Sequence, residues 1–90
     1  MEMKVRKHIY FSGDVQDVGF RYTSCRIAQS MGLTGWVENR WDGRVEMEVQ
    51  GTEAEIESLL EQIQSERWIK VRNIEMEELP CVEERGFHIH

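Results

Sequence analysis

DGRVEMEVQGTEAEIESLLEQI, residues 42–63, is the stretch whose reading decides the fold. It opens on Asp42-Gly43, the dipeptide that most readily supplies the positive φ of a tight hairpin. Strict alternation follows, with Val45, Met47 and Val49 on one face and Arg44, Glu46, Glu48 and Gln50 on the other. A period of two is the signature of a strand with one face buried. Thr52 then starts a capping box, with Glu55 three residues on. Ile56, Leu59, Leu60 and Ile63 fall at i, i+3, i+4 and i+7, the apolar stripe of an amphipathic helix.

Working outward, residues 34–40 form the strand that enters this hairpin, with Trp36 and Val37. Before it, residues 20–32 carry Phe20, Ile27, Ala28 and Met31 at near-helical spacing, and Gly32 is a natural stop. Residues 4–11 read as a strand with Val5, Ile9 and Phe11 on one face. Lys4, Arg6, His8 and Tyr10 lie on the other, and Lys7 falls on the apolar face, near an edge or end. On the far side, residues 68–78 carry Ile69, Val71, Ile74 and Met76. The parity changes between Val71 and Ile74, which predicts a bulge. Phe87 and Ile89 alternate with His88 and His90 in a short last strand. The order is β-α-β-β-α-β plus a terminal strand, the split βαβ pattern of ferredoxin-like α+β folds. Each helix has one apolar stripe, so the two pack side by side on one face of an antiparallel sheet. The expectation is one domain over residues 1–90.

Composition narrows the class of function. With no run of ~18 apolar residues, no helical membrane span is expected. The start, residues 1–7, alternates charged and apolar side chains and lacks the apolar core of a signal peptide. A cytoplasmic protein is expected, and in that setting Cys25 and Cys81 read as free thiols, not a disulfide. No Cys-x-x-Cys pair occurs. The net charge of −6 argues against a nucleic-acid binder, which needs clustered Lys and Arg. The charge is uneven, +2 over residues 1–45 and −8 over residues 46–90, so an anion site belongs in the first half.

One loop in that half is chemically pointed. Gly13-Asp14-Val15-Gln16-Asp17-Val18-Gly19-Phe20-Arg21 runs from a strand into a helix N-terminus. Backbone N–H groups and the helix dipole favour an anion there. Arg21, in the first turn, adds a planar donor fork suited to phosphate oxygens. A cation at that end of a helix is otherwise unfavourable. The same residues also fit a plain loop with an exposed Arg. Asn39, near a strand end, reads by itself as an ordinary satisfied turn residue.

Taken together, GDVQDVGFR at 13–21 and GWVENRWDGRVE at 35–46 resemble the acylphosphatase family. Its pattern is Gly-x-Val-Gln-Gly-Val-x-Phe-Arg, then Gly-Trp-Val-x-Asn-x-x-Asp-Gly-x-Val-Glu. Gln50-Gly51 and Phe87-His88-Ile89 extend the resemblance over about residues 5–90. It implies metal-independent hydrolysis of a carboxyl-phosphate anhydride to a carboxylate and inorganic phosphate, with no cofactor. It also implies that Arg21 and the loop at Gln16, Asp17, Val18, Gly19 and Phe20 hold the phosphoryl group while Asn39 holds the attacking water. The sequence departs from the family at Asp17, where the pattern has Gly. Asp tolerates the left-handed region better than most residues, but its carboxylate would repel phosphate. The alternative is therefore an anion-binding regulatory module that has lost turnover.

Other features carry less. His8, His88 and His90 share a parity and would form a metal site only if their strands were adjacent; a solvated sheet face is the expectation. The Glu-rich stretch from Glu53 to Glu66 reads as a solvated helix face. Trp36 and Trp68 are expected to be half-buried, and Trp41 to be exposed, near a site mouth. A base-stacking RNA sheet is disfavoured, because Arg44 to Gln50 contains no aromatic residue. The chain is expected to be a monomer that meets only small acyl phosphates and phosphate, with no nucleic-acid or membrane partner.

Overall fold

The structure, a computed structural model, describes residues 3–90. The charged start read from the sequence includes Met1 and Glu2, which lie outside the described residues. The elements are β1 (Lys4–Asp14), α1 (Phe20–Ser30), β2 (Thr34–Asn39), β3 (Val45–Thr52), α2 (Glu53–Gln64), β4 (Lys70–Leu79) and β5 (Phe87–Ile89). The strand order is β4-β1-β3-β2-β5. β3 pairs antiparallel with both β1 and β2, and β4 pairs antiparallel with β1. This is the ferredoxin-like arrangement, with one difference from the all-antiparallel expectation. β5 runs parallel to β2, so the sheet is mixed. The physical reason is the connection from β4. It crosses from one sheet edge to the other and delivers β5 in the direction of β2.

The alternating residues of the opening stretch behave as their pattern requires. Val45, Met47 and Val49 are fully buried, and Ile56, Leu59, Leu60 and Ile63 of α2 cover them together with Ile27 and Ala28 of α1. Thr52 caps α2 as expected. Its hydroxyl accepts from the Glu55 backbone N–H at 3.2 Å, and the Glu55 carboxylate accepts from the Thr52 N–H at 2.9 Å. Those bonds to Thr52 hold the Glu55 carboxyl below its ordinary pKa. The expected bulge is present on β4. Ser12 opposes Asn73 and Gly13 opposes Val71, leaving Arg72 as the extra residue. Gly13 has φ 128°, and a Cβ there would stand 2.2 Å from the Lys70 carbonyl oxygen. No larger residue fits where β1 turns out of the sheet toward its loop.

Three side chains depart from simple parity. Lys7 faces the helix side but reaches out at the start of α2, with Nζ 3.2 Å from both Glu53 and Glu78. Arg6 points to the open face and is nevertheless only 3% exposed. Residues 80–86 cross that face, and Arg6 pairs with Glu48 at 2.8 Å and Glu84 at 2.9 Å. Burial works against its charge, yet hydrogen bonds to Glu84 and Glu48 still raise its pKa. Trp68 is 55% exposed in the turn before β4, not half-buried, whereas Trp36 is half-buried and stacks on His90.

Candidate active site

β1 and β2 each run antiparallel to β3, and β5 runs parallel to β2, so β1, β2 and β5 all finish at one end of the sheet. The loop after β1 wraps this end. Its two flanks are sealed into the core by Val15 and Phe20, which are 0% and 2% exposed. Phe20 packs on Phe11 with ring centroids 4.8 Å apart, and Val18 packs against the same core. Gln16 fixes the middle of the loop. Its Nε2 donates to the carbonyls of Arg40 at 2.7 Å and Arg44 at 2.9 Å, tying the loop to the β2–β3 hairpin. The hairpin is itself held by Asp42, whose carboxylate accepts from the Arg44 N–H at 3.2 Å and Nε at 2.8 Å.

Two residues of the loop adopt left-handed backbone, Asp17 with φ 62° and Gly19 with φ 80°. Asp17 is the one such non-glycine among the described residues, and it stands where the family pattern has Gly. These reversals lead into α1 with Gly19 as N-cap. α1 has no side-chain cap and no acidic residue in its first turn, unlike α2. The first-turn N–H groups of a helix have no intrahelical partner, so this end presents donors and positive dipole.

Val15, Asp17, Gly19, Phe20, Arg21 and Asn39 line one cleft, joined by Tyr22 and Ile89, with a volume of ≈ 220 Å³. Arg21, from the first turn of α1, donates one Nη1 hydrogen bond to the His90 carbonyl at 3.1 Å. That contact anchors the guanidinium and commits only one of its five N–H donors. Asn39, the last residue of β2, reaches the cleft from the other strand. Next to it, Arg40 is neutralised by Glu46 at 3.0 Å, and Glu46 also meets His8 Nε2 at 2.6 Å. A phosphoryl-sized anion with a water beside it fits the volume, given ~30 Å³ per water.

The structure thus brings together Asp17, Gly19, Phe20, Arg21 and Asn39. Gln16 and Val18 do not line the cleft with their side chains, which serve to hold the loop's shape. Trp41 is 89% exposed but lies off the cleft wall. His8 on β1 is separated from β5 by β3 and β2, so the three histidines are not brought together. Cys25 is buried, its Sγ donates to the Phe87 carbonyl, and burial pushes its pKa up. A neutral buried thiol is a poor nucleophile. Ile89 was not legible as a site residue, because β5 had no position in the sheet until the topology was known, and Tyr22, next to Arg21 on α1, carried no signal of its own.

The family model described as Acylphosphatase matches residues 7–89. An acylphosphatase of Bifidobacterium longum is 42% identical over 81 residues, covering 89% of this chain and 84% of that protein. The crystal structure of acylphosphatase from Bacillus subtilis superposes with a TM-score of 0.87 at 36% identity, covering 96% of this chain and 98% of that one. An acylphosphatase from Coxiella burnetii superposes with a TM-score of 0.88 at 31% identity, over 97% and 93% of the two chains. With the family pattern spread over nearly the whole chain and the same fold beneath it, this chain belongs to the acylphosphatase family.

Proposed function

We propose that this chain hydrolyses acyl phosphates to a carboxylate and inorganic phosphate, acting as a single monomeric domain in the cytoplasm. The observation that supports it most is the shared cleft. An uncapped helix N-terminus, a guanidinium and a neutral amide from a separate strand converge on one phosphate-sized space. Arg21 and the loop amides of residues 16–20 hold the phosphoryl oxygens. Asn39 orients a water toward phosphorus. The new bond is water oxygen to phosphorus, the bond broken joins phosphorus to the acyl oxygen, and its electron pair leaves on the carboxylate. The water's protons end on the phosphate product and solvent. A carboxylate is a good leaving group, so no general acid is needed. Phosphoryl transfer has a loose transition state, so positioning and electrostatic stabilisation are most of what the protein must supply.

The test is phosphate release from benzoyl phosphate, with inorganic phosphate as a competitive inhibitor. Asp17 sharpens it. Its backbone is already left-handed and its side chain is exposed on the cleft wall. An exposed charge about 4 Å from an anion costs on the order of 1 kcal/mol in water-like surroundings. Asp17→Gly is therefore expected to tighten phosphate inhibition by about fivefold. Unchanged or weaker inhibition would place the Asp17 carboxylate away from the bound anion.

A further inference from the structure

A second concavity lies beside the first. Tyr22, Cys25, Arg26 and Gln29 recur at i, i+3, i+4 and i+7 on α1 and so share one stripe. With Ile89 of β5 they line a groove of ≈ 270 Å³. Tyr22 and Ile89 also line the phosphate-loop cleft, so the two concavities adjoin along a shared wall. Val15 and Phe20, the other apolar residues of the cleft wall, are sealed in the core. Tyr22 and Ile89 therefore supply its exposed apolar surface, at 68% and 44% exposure. Two polar groups of the groove are already occupied, with Cys25 Sγ and Gln29 Nε2 both donating to the Phe87 carbonyl, and Arg26 stands exposed along it. The residues common to the cleft and the groove are Tyr22 and Ile89.

We propose that this groove is the acyl subsite, with Tyr22 and Ile89 as the residues that set preference for an apolar, planar acyl group. The inference rests on the reading of the cleft as a phosphoryl site. The acyl carbon is joined to phosphorus through a single oxygen, so the acyl group begins at the cleft wall and must continue along a neighbouring surface. The wall otherwise offers Asp17, Asn39 and Arg21, which are polar or charged. Toward Tyr22 and Ile89 an apolar group leaves the cleft over an aromatic ring and an aliphatic side chain, with Arg26 the one charged residue lining the groove beyond. An aryl ring there gains contact with the tyrosine ring, whereas an acetyl group offers only a methyl to it.

The experiment is the ratio of kcat/KM for benzoyl phosphate over acetyl phosphate, in wild type, Tyr22→Ala and Tyr22→Phe. The expected result is a ratio about tenfold lower in Tyr22→Ala, carried by KM for benzoyl phosphate, and restored to within about twofold by Tyr22→Phe. Tyr22 is mostly solvent-exposed, so the substitution leaves the core intact. A Tyr22→Ala ratio within about twofold of wild type, in an enzyme that hydrolyses both substrates, would overturn the subsite alone. Release of phosphate from neither substrate by wild type would overturn the phosphoryl reading and the subsite with it.

Discussion

Arg21→Ala is expected to lower kcat on benzoyl phosphate by roughly 100- to 1000-fold, the scale for removing one preorganised donor. The side chain is placed for this in advance. It stands in the first turn of α1 and is tethered to the His90 carbonyl at 3.1 Å. The first turn carries no carboxylate to neutralise it. Its charge therefore adds to that of the helix N-terminus, a local repulsion that a bound phosphoryl group relieves. In the proposed reaction, charge on the transferring oxygens is met by N–H groups that do not have to reorganise. Arg21→Lys should recover only part of the loss, because an ammonium is a point charge without the planar fork. Phosphate inhibition should weaken in the same variants. Thermal unfolding should move little, since Arg21 gives up one exposed hydrogen bond. An unchanged turnover number in Arg21→Ala would remove Arg21 from the mechanism.

Asn39→Ala is expected to cost about 100-fold or more in kcat by a different route. Asn39 is a neutral amide and takes no proton. In the proposed reaction it supplies the direction of the attacking water from the end of β2. Its loss should therefore fall on kcat and leave inhibition by inorganic phosphate within about threefold of wild type, a small change on the scale of binding energies. The two variants separate holding the phosphoryl group from aiming the water. A parallel loss of phosphate inhibition in Asn39→Ala would make Asn39 a phosphate ligand instead.

Much of this was legible in the sequence because the relevant physics is local. The alternation from Val45 to Val49, the Thr52–Glu55 capping box and the stripe from Ile56 to Ile63 each fix a local conformation and a buried face. Even the parity break between Val71 and Ile74 found its cause, the extra residue Arg72 opposite Gly13. Asp17 was suspected of a left-handed backbone from the Gly it replaces, and its φ of 62° agrees.

What the sequence did not reveal depends on chain segments far apart. A three-residue strand carries too little pattern to declare its partner, so the parallel placement of β5 beside β2 had no local signal. The apolar junction of Tyr22 and Ile89 follows from that placement and was invisible with it. Arg6 sits on the polar parity of β1, and only the crossing of residues 80–86 buries it against Glu84. The double hydrogen bond of Gln16 to the hairpin likewise joins residues that sequence spacing does not relate.

In the proposed reaction water attacks phosphorus inside the cleft, and the carboxylate leaves intact. Hydrolysis of benzoyl phosphate in oxygen-18 water, with EDTA present, tests it in one measurement. The expected result is turnover unaffected by the chelator, with the label in inorganic phosphate and none in benzoate. Label in benzoate, or no hydrolysis by the folded chain, would contradict it.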